Sequence, residues 1–414
     1  MADFDFSRLR RFPDVEAPNL QAWDATDELL VGYALAAGIA GDRIAVIGDE
    51  YGALTLALAD AGLRGIRVHQ DLVTGRRALA NNAAALDLDG FTSHELEPDL
   101  LDGATLVLLQ LPKALAELEE VADAVARWAA PDVVLVCGGR VKHMTLAQND
   151  VLATCFGAVQ PQRAERKSRL VIASAPLPVP PELPFPVSIR HTLPGEKPHF
   201  ASETTAEVVS GAESGFSGAD AAGLTLCAHG GAFAGARIDI GTRVLLEAMA
   251  ELDAPPEPTV VDLGCGTGAL AAAFALRHPD ADVIATDRSA AAVRSALATM
   301  AANGLGERVR VTLDDAGSQL PDAGADLVLL NPPFHLGASV HEGAGRRLIQ
   351  AAARLLRPGG EVWTVFNSHL DHRRALTRDV GPTEQVHRTP KFTVTRSIRR
   401  ETAVYRTPGE STIR

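Results

Sequence analysis

The chain repeats its own sequence at an interval longer than any solenoid unit. Residues 45–59, "AVIGDEYGALTLALA", align with residues 261–275, "VDLGCGTGALAAAFA", at an offset of 216. The same offset places Asp71 opposite Asp287 without a gap. Solenoid repeats are about 20–50 residues long, so this interval indicates two copies of a whole domain. A chain of 414 residues is long enough to build two hydrophobic cores.

A second pair of matching segments and a proline-rich stretch set the domain boundaries. Residues 104–113, "ATLVLLQLPK", match residues 325–334, "ADLVLLNPPF". Residues 175–198 hold eight of the 25 prolines and show no helical or strand periodicity, which is typical of an extended, semi-rigid linker. We therefore predict an N-terminal domain at 1–174, a linker at 175–198 and a C-terminal domain at 199–414.

Within each copy, short runs of Val, Leu and Ile alternate with Ala-rich stretches of helical character. This alternation is the pattern of β-α-β units around a parallel sheet. In the second copy, we predict strands at 259–263, 282–286, 308–313, 326–330 and 361–366. The fold class is α/β, with a mostly parallel sheet flanked by helices in each domain.

Composition and cysteine spacing exclude several classes of protein. A hydrophobic content of 46% and a charged content of 22% are ordinary for a globular protein, which argues against disorder and against a fibrous architecture. The N-terminus lacks the apolar region of a secretory signal, and no apolar stretch reaches the ~18 residues of a membrane span. The four cysteines form no C-x-x-C pair. We expect a cytoplasmic protein with reduced thiols, no metal site and no membrane partner.

The net charge of −13 argues against a surface that binds nucleic acid everywhere. Two local clusters are nevertheless basic. Residues 162–169 read "QRAERKSR", and residues 372–400 carry eight Lys or Arg against two acids. Either cluster can be a solvated face or part of an RNA-binding face, and the sequence leaves open whether the two join.

The segment "VVDLGCGTGAL" reads as a strand that ends near Asp262 and is followed by a glycine loop that opens a helix. Glycines at 264, 266 and 268 allow a tight turn and a close approach of the backbone to a ligand. Their G-x-G-x-G spacing differs from the dinucleotide and P-loop motifs. We therefore expect a ligand with a cationic or zwitterionic head rather than a pyrophosphate, whose ammonium Asp262 could hold directly or through water.

Two more acids follow at the ends of the next strands. Asp287 closes the second strand about twenty residues after the glycine loop, where a carboxylate can accept both hydroxyls of a ribose. Asp315 ends the third strand and is placed to accept an N–H from an adenine amino group, with Asp314 as the alternative. Each acid alone could be a helix cap or a turn former. In this order, they predict a nucleoside site.

The fourth strand ends in "NPPFH", residues 331–335. Two prolines end a strand in a stiff path, because each fixes its own φ and neither donates to the sheet. This array resembles the class I S-adenosylmethionine (SAM) dependent methyltransferases, in which [DNS]-P-P-[YFW] after the fourth strand marks enzymes that methylate exocyclic or amide nitrogens. With the tandem domains, the linker, residues 229–249 and the C-terminal "KFTVTRSIRR", nearly the whole chain is similar to the two-domain bacterial ribosomal RNA guanine-N2 methyltransferases. The large-subunit branch is slightly closer, on "YGALTLALA" and "LPKALAELEEV" in the first domain.

The resemblance implies tandem Rossmann-like methyltransferase domains that use SAM on ribosomal RNA or a ribosomal subunit, in a monomer. The Asn331 oxygen and the Pro332 carbonyl would each accept one N–H of the guanine amine and turn its lone pair toward the sulfonium methyl. The prolines would supply rigidity, and Phe334 would stack on the base. The predicted catalytic residues are Asn331, Pro332, Pro333 and Phe334. The predicted cofactor-binding residues are Phe233, Asp239, Gly241, Asp262, Gly264, Cys265, Gly266, Gly268, Asp287, Arg288, Asp315 and Asn331.

Alternatives stay open at this point. DNA adenine, a protein glutamine or a small amine could be the acceptor of an NPP loop, and a SAM-binding scaffold without turnover is a different class. Asp239 could simply cap a helix, and His335 could be a structural hydrogen-bonding residue rather than a proton acceptor.

The first copy departs from the pattern at each informative position. Val46, Asp49 and Glu50 replace Asp262, Cys265 and Gly266, which adds bulk and negative charge to the loop. In the strand-end motif, Gln110 and Leu111 replace Asn331 and Pro332. We predict that this degenerate domain binds no SAM, and that it docks RNA through 162–169 and supports the second domain.

Overall fold

The computed structural model describes residues 4–193, 223–332, 338–370 and 372–401. Two seven-stranded sheets dominate the described chain, and a separate two-stranded sheet follows the first of them in the sequence. Short 3-10 helices lie at Phe6–Arg8, Gly41–Arg43, Val141–His143 and Met249–Glu251.

The first domain alternates strands and helices. Its helices are α1 Ala25–Ala37, α2 Ala53–Asp60, α3 Val73–Leu86, α4 Pro98–Leu101, α5 Leu115–Trp128 and α6 Leu146–Cys155. Its strands are β1 Ile44–Ile47, β2 Ile66–His69, β3 Phe91–Ser93, β4 Leu106–Gln110, β5 Val134–Arg140, β6 Phe156–Pro161 and β7 Ser168–Pro176. The sheet order is β3-β2-β1-β4-β5-β7-β6, and only the β5–β7 and β6–β7 pairs among these are antiparallel.

The second domain repeats this plan. Its helices are α7 Ile240–Ala248, α8 Ala269–Arg277, α9 Ala290–Ala302, α10 Ala338–Leu355 and α11 His372–Asp379. Its sheet contains β10 Thr259–Leu263, β11 Asp282–Asp287, β12 Val309–Leu313, β13 Ala325–Leu330, β14 Leu356–Asn367, β15 Thr383–Arg388 and β16 Phe392–Ile398. The order β12-β11-β10-β13-β14-β16-β15 matches the first sheet strand for strand. The predicted α/β fold and its duplication are therefore confirmed.

The predicted strands of the second copy agree closely with the observed ones, except for the last. The sequence predicts that strand at 361–366, but β14 begins at Leu356. Leu356 pairs with Ala325 of β13, and a register shift separates this pair from the regular ladder that starts at Glu361. The irregular pairing lies around "RPGG", whose turn chemistry hides an early strand start in the sequence.

The proline-rich segment contains a strand that the sequence does not predict. Residues Val187–Thr192 form β8, which pairs antiparallel with β9, Gly223–Ala228. Strand β7 also extends to Pro176, beyond the predicted start of the linker. The sequence of β8 carries only a short apolar alternation, Val187 and Ile189, and its hydrogen-bond partner lies some thirty residues further along the chain.

Both faces of the second sheet are covered by apolar side chains. In β13, Leu327 and Leu329 pack into one core with Phe274 of α8, whereas Val328 and Leu330 pack into another core with helix α10. A parallel sheet that is buried on both faces requires continuous apolar strands, as in "ADLVLL". In β10 and β11, the acids Asp262 and Asp287 lie near the carboxyl ends of the strands, where the loops meet.

Hydrogen bonds of main-chain and side-chain groups join the two domains. Leu72 and Ser289 form an antiparallel bridge, and the Val73 amide donates to the Arg288 carbonyl at 2.9 Å. A second contact lies at α5, where the Glu120 carboxylate accepts from the Gly230 amide at 2.7 Å. Among the described helices, none combines the length and apolar character needed to cross a membrane.

Candidate active site

A cavity of about 520 Å³ opens at the carboxyl ends of β10, β11 and β13. This is the point where the strand order reverses, the usual ligand site of an open α/β sheet. Most of the predicted residues that the structure describes line it: Phe233, Asp239, Gly264, Cys265, Gly266, Asp287, Arg288, Asp315, Asn331 and Pro332. Pro333, Phe334 and His335 lie outside the described residues. Gly241, Asp262 and Gly268 are not among the described lining residues.

The glycine loop presents bare backbone to the cavity. Gly264 and Gly266 have φ values of 79° and 55°, and no heavy atom lies within 4 Å of the position that a Cβ would take on either residue. Gly268 needs glycine for a different reason. It has a φ of 79° at the N-cap of α8, and a Cβ there would lie 2.8 Å from the Met300 side chain on α9. Positive φ favours glycine at all three positions.

Asp262 lies beneath the loop rather than in the cavity. Its side chain is fully enclosed, and its Oδ2 accepts the Ala271 amide at 3.0 Å, near the start of α8. Burial raises the pKa of Asp262 to about 7. The predicted contact of Asp262 with an ammonium, directly or through water, stays a prediction, and the structure adds that one carboxylate oxygen already holds the start of α8.

Asp287 lines the cavity and ties two loops together. Its Oδ2 accepts the Gly266 amide at 2.9 Å, and its Oδ1 accepts the Ser289 amide at 3.0 Å. Burial raises the pKa of Asp287. A carboxylate has about four acceptor positions, so these bonds leave capacity for a pair of hydroxyls.

Asp314 and Asp315 both line the cavity but differ in their partners. Asp314 is saturated by its own turn, since it accepts the amides of Asp315 and Gln319, each at 2.8 Å. Asp314 also pairs with Arg77 of the first domain at 3.4 Å, whereas Asp315 forms an ion pair with Arg347 of α10. Burial raises the pKa of Asp315, and the Arg347 guanidinium partly offsets this. Asp315 is therefore the acid with more acceptor capacity left for a ligand.

The Asn331 amide is held in one orientation. Its Nδ2 donates to Thr242 Oγ1 at 2.9 Å and to Asp239 Oδ2 at 3.2 Å. Both N–H groups are thereby used. The Asn331 Oδ1 is buried and accepts no hydrogen bond from any described residue. A buried acceptor without a partner is costly, and Asn331 itself lines the cavity beside Pro332.

Asp239 caps helix α7 and also accepts a hydrogen bond from the Asn331 amide. It is the N-cap of α7, where its Oδ1 accepts the amides of Gly241 at 2.8 Å and Thr242 at 3.3 Å. Its Oδ2 accepts the Thr242 hydroxyl and the Asn331 amide. Gly241 leaves room for this arrangement, because a Cβ there would lie 3.3 Å from Asn331 Oδ1.

Phe233 and Cys265 also line the cavity. Phe233 is 69% exposed at the rim of the cavity, which leaves its ring face available to a planar ligand. Burial raises the pKa of the Cys265 thiol well above its usual range. A thiol in that state is a poor nucleophile near neutral pH.

Family comparisons agree with this geometry. A model described as "Methyltransferase small domain" matches residues 223–396, and one described as "RLMG N-terminal domain" matches residues 2–177. The ribosomal RNA large subunit methyltransferase G of Streptomyces coelicolor is 32% identical over 404 residues, which cover 94% of this chain and 97% of that protein. The protein of the same name from Ectopseudomonas mendocina is 34% identical over 399 residues, with 94% and 97% covered.

The chain belongs to the ribosomal RNA large subunit methyltransferase G family. This membership confirms the resemblance predicted from the sequence, including its large-subunit branch. The 16S rRNA N2 G1207 methyltransferase RsmC of T. thermophilus, solved with AdoMet and guanosine, shares the tandem fold. Its TM-score is 0.70 at 20% identity, over 91% of this chain and 92% of that one.

In the first copy, an acidic side chain occupies the loop that corresponds to the glycine loop. Asp49 is 1% exposed, and its carboxylate accepts the amides of Leu54 at 3.2 Å and Thr55 at 2.8 Å. Thr55 aligns with Ala271 at the offset of 216. The acid that supports the helix has thus moved from the strand end, at Asp262, into the loop itself. The departure that the sequence shows at Asp49 has a structural consequence, because the carboxylate occupies the start of α2.

The first copy contains a hydrogen bond similar to the one that holds the Asn331 amide. Gln110, which aligns with Asn331, donates its Nε2 to Asp27 Oδ1 at 2.5 Å. Asp27 lies three residues after the Asp24 N-cap of α1, as Thr242 does after Asp239. Burial raises the pKa of Asp27 to about 8. A hydrogen bond from the strand-end amide to the first turn of a helix is therefore present in both copies, and of the two amide oxygens only that of Asn331 is both buried and without a partner.

Sequence reasoning missed several residues at the site. Thr242 and Arg347 line the cavity, as do Asp14, Val15, Asp71 and Leu72 from the first domain. Thr242 carries a local signal, since it lies three residues after a helix cap. The first-domain residues carry no such signal, because their place depends on how the domains dock.

Proposed function

We propose that this protein transfers a methyl group from SAM to the exocyclic N2 of a guanine in ribosomal RNA of the large subunit. The observation that carries the proposal is the buried, partnerless Oδ1 of Asn331, held in place by Thr242 and Asp239 at the cavity wall. An oriented acceptor of this kind suits an N–H donor such as an aryl amine. The curated relatives that span the whole chain are named for the same reaction class.

The residues present fit SAM. Gly264 and Gly266 leave open space where side chains would project, which suits close approach of the amino acid part of the cofactor. Asp287 is placed for the ribose hydroxyls, and Asp315 for the adenine amino group. SAM supplies a methyl group on a positively charged sulfonium. Asp262 acts from below by holding the start of α8, which supports the loop rather than the ligand.

The chemistry assigned to this chain is positioning. The lone pair of a guanine N2 is delocalised into the ring, so the amine is a poor nucleophile. The Asn331 Oδ1 and the Pro332 carbonyl accept one N–H each and direct the lone pair at the methyl group. Holding reacting atoms in such a geometry can contribute several kcal/mol. The proton leaves after methyl transfer, so that no strong base is required.

Phe334 is proposed to stack on the target base, and Phe233 to pack beside SAM from the rim of the cavity. Stacking on an aromatic ring is the common way to hold an unpaired base. Pro333 would stiffen the loop between these groups. The exposed face of Phe233 supports its part.

The first domain, 1–174, is proposed to dock RNA. The turn between β6 and β7 carries Arg163, Arg166 and Lys167, all of them exposed. Arg166 and Lys167 both have positive φ, and the Arg166 side chain forms an ion pair with Glu28. The protein is further proposed to act as a monomer in the cytoplasm, where its relatives' substrate is made.

The test is the distribution of label from methyl-labelled SAM. The purified protein is incubated separately with large-subunit rRNA, small-subunit rRNA, adenine-containing DNA and a protein extract, and the modified nucleosides are identified by mass. We expect N2-methylguanosine in large-subunit rRNA alone. Label in DNA or protein would support the other acceptors, and SAM binding without transfer to any of them would support a scaffold; each result overturns the proposal.

A further inference from the structure

The start of helix α9 is capped by the other domain. The carbonyl of Asp71 accepts the Ala290 amide at 2.9 Å, and the Asp71 Oδ1 accepts the Ala291 amide at 2.8 Å. The next amide, that of Ala292, is capped locally by Ser289 Oγ at 3.1 Å. Two of the first three amides of α9 therefore depend on one residue of the first domain. Ala290 and Ala291 are both buried at this contact.

Asp71 is the repeat counterpart of Asp287. The two acids lie 216 residues apart in register. Asp287 bonds the glycine loop of its own domain, through the Gly266 amide. Asp71 instead reaches across the domain boundary. The first-copy residue that corresponds to the predicted ribose-binding acid thus caps a helix of the second copy.

The capped helix is part of the cofactor cavity. Ser289 and Ala292 line the cavity together with Asp71 and Leu72. The loop that joins Asp287 to α9 is held on one side by Asp287 itself, through the Ser289 amide at 3.0 Å. On the other side, it is held by the first domain through Asp71 and through the bond from Val73 to the Arg288 carbonyl.

A second contact between the domains supports the same wall. Glu120 of α5 accepts the Gly230 amide and lies 2.6 Å from His229 Nδ1. Arg294 of α9 donates to the same carboxylate at 3.3 Å. A Cβ on Gly230 would lie 2.2 Å from the Ala116 carbonyl, so the segment that leads to Phe233 is pressed against α5.

We propose that Asp71 is a positioning residue for SAM: the first domain caps α9 and so holds the Asp287 loop in the shape that binds the cofactor. The inference rests on the proposed function of that cavity. It assigns the degenerate domain a role in cofactor affinity, separate from RNA docking and from stability of the fold.

The test compares Asp71→Ala and Asp71→Asn with the parental full-length protein by calorimetric titration of SAM. Losing a helix cap costs roughly 0.5–2 kcal/mol, so we expect Asp71→Ala to weaken SAM binding about 2- to 30-fold. Asp71→Asn keeps an oxygen acceptor and should recover most of the affinity. Asp60→Ala, which removes an exposed acid of the same domain, is the matched control and should leave affinity unchanged.

Two readouts separate this role from general stability and from catalysis. Hydrogen exchange at the amides of Ala290 and Ala291 should accelerate in Asp71→Ala, while the KM for RNA stays within about twofold. Equal SAM affinity in Asp71→Ala and the parental protein would overturn the inference. A parental protein that binds SAM but methylates no RNA would overturn the proposed function instead and leave the comparison of affinities valid.

Discussion

The Asn331 amide donates to Thr242 Oγ1 at 2.9 Å, while its own Oδ1 remains buried without a described partner. The hydroxyl and the amide belong to different elements, the first turn of α7 and the end of β13. Because Nδ2 is fully used by Thr242 and Asp239, the orientation of the side-chain amide, and with it the position of Oδ1, is fixed without any ligand present. The acceptor is therefore oriented before the substrate arrives, which is the arrangement that positioning catalysis requires.

Replacing Thr242 tests this orientation. Thr242→Val keeps the shape of the side chain but removes the hydroxyl, so the Asn331 amide loses its shorter hydrogen bond. We expect kcat to fall about tenfold, the effect of roughly 1.4 kcal/mol, with little change in the KM for RNA. Thr242→Ser restores the hydroxyl and should recover most of kcat. Steady-state kinetics on large-subunit rRNA would measure both variants. A Thr242→Val enzyme with parental kcat would contradict the role of the hydrogen bond between Thr242 and Asn331.

Gly266 tests the glycine loop. An alanine there has to adopt positive φ, which costs about 1–2 kcal/mol, and its methyl group projects into space that is open in the structure. We expect Gly266→Ala to weaken SAM binding at least tenfold.

Gly304→Ala is the matched control for that variant. Gly304 has a φ of 67° and equally open surroundings, but it lies in the turn after α9, away from the cavity. It should lose similar thermal stability and keep its SAM affinity. If both alanine variants bound SAM with the same reduced affinity, backbone strain rather than the added methyl group in the cavity would explain the loss.

The basic turn of the first domain tests RNA docking. Reversing Arg163, Arg166 and Lys167 to Glu should weaken RNA binding and flatten its salt dependence, since each lost phosphate contact reduces the slope by about 0.7–0.9. SAM affinity is the internal control and should not change, because none of the three residues lines the cavity. Parental RNA affinity in the triple variant, measured by filter binding at several salt concentrations, would remove the docking assignment.

Glu117 provides a prediction of pH dependence at the domain boundary. Burial raises the pKa of Glu117 from about 4.5 to about 7, and the charges of Asp71 and Glu120 add to the shift. An acid whose folded-state pKa is raised binds its proton more tightly when folded, so stability falls as pH rises between those two values. Glu117→Gln has no proton to lose. The melting temperature of Glu117→Gln minus that of the parental protein should therefore rise by about a few degrees between pH 4.5 and 7 and stay constant above pH 7. A constant difference across this range would contradict the assignment.

The local parts of this architecture could be predicted from the sequence. The strand β10 and the loop after it are encoded by an apolar run and by glycines with positive φ, both of which are short-range signals. The strand β8 could not be predicted, because it forms only by pairing with Gly223–Ala228. Asp262 shows the same limit at the site, since its residue type predicts an acceptor but not that the start of α8 uses it. The cap from Asp71 to Ala291 depends on domain docking, which no local pattern contains.

The central claim is that the Asn331 oxygen accepts an N–H of the target guanine. The most direct measurement is the single-turnover rate of N2-methylguanosine formation by Asn331→Ala and by the parental protein, at saturating SAM and saturating large-subunit rRNA. Removing one positioned hydrogen-bonding group at a reacting centre typically lowers the rate about 100- to 1000-fold, and we predict a loss of that size at saturating SAM. An Asn331→Ala protein that forms N2-methylguanosine at the parental rate would contradict the account.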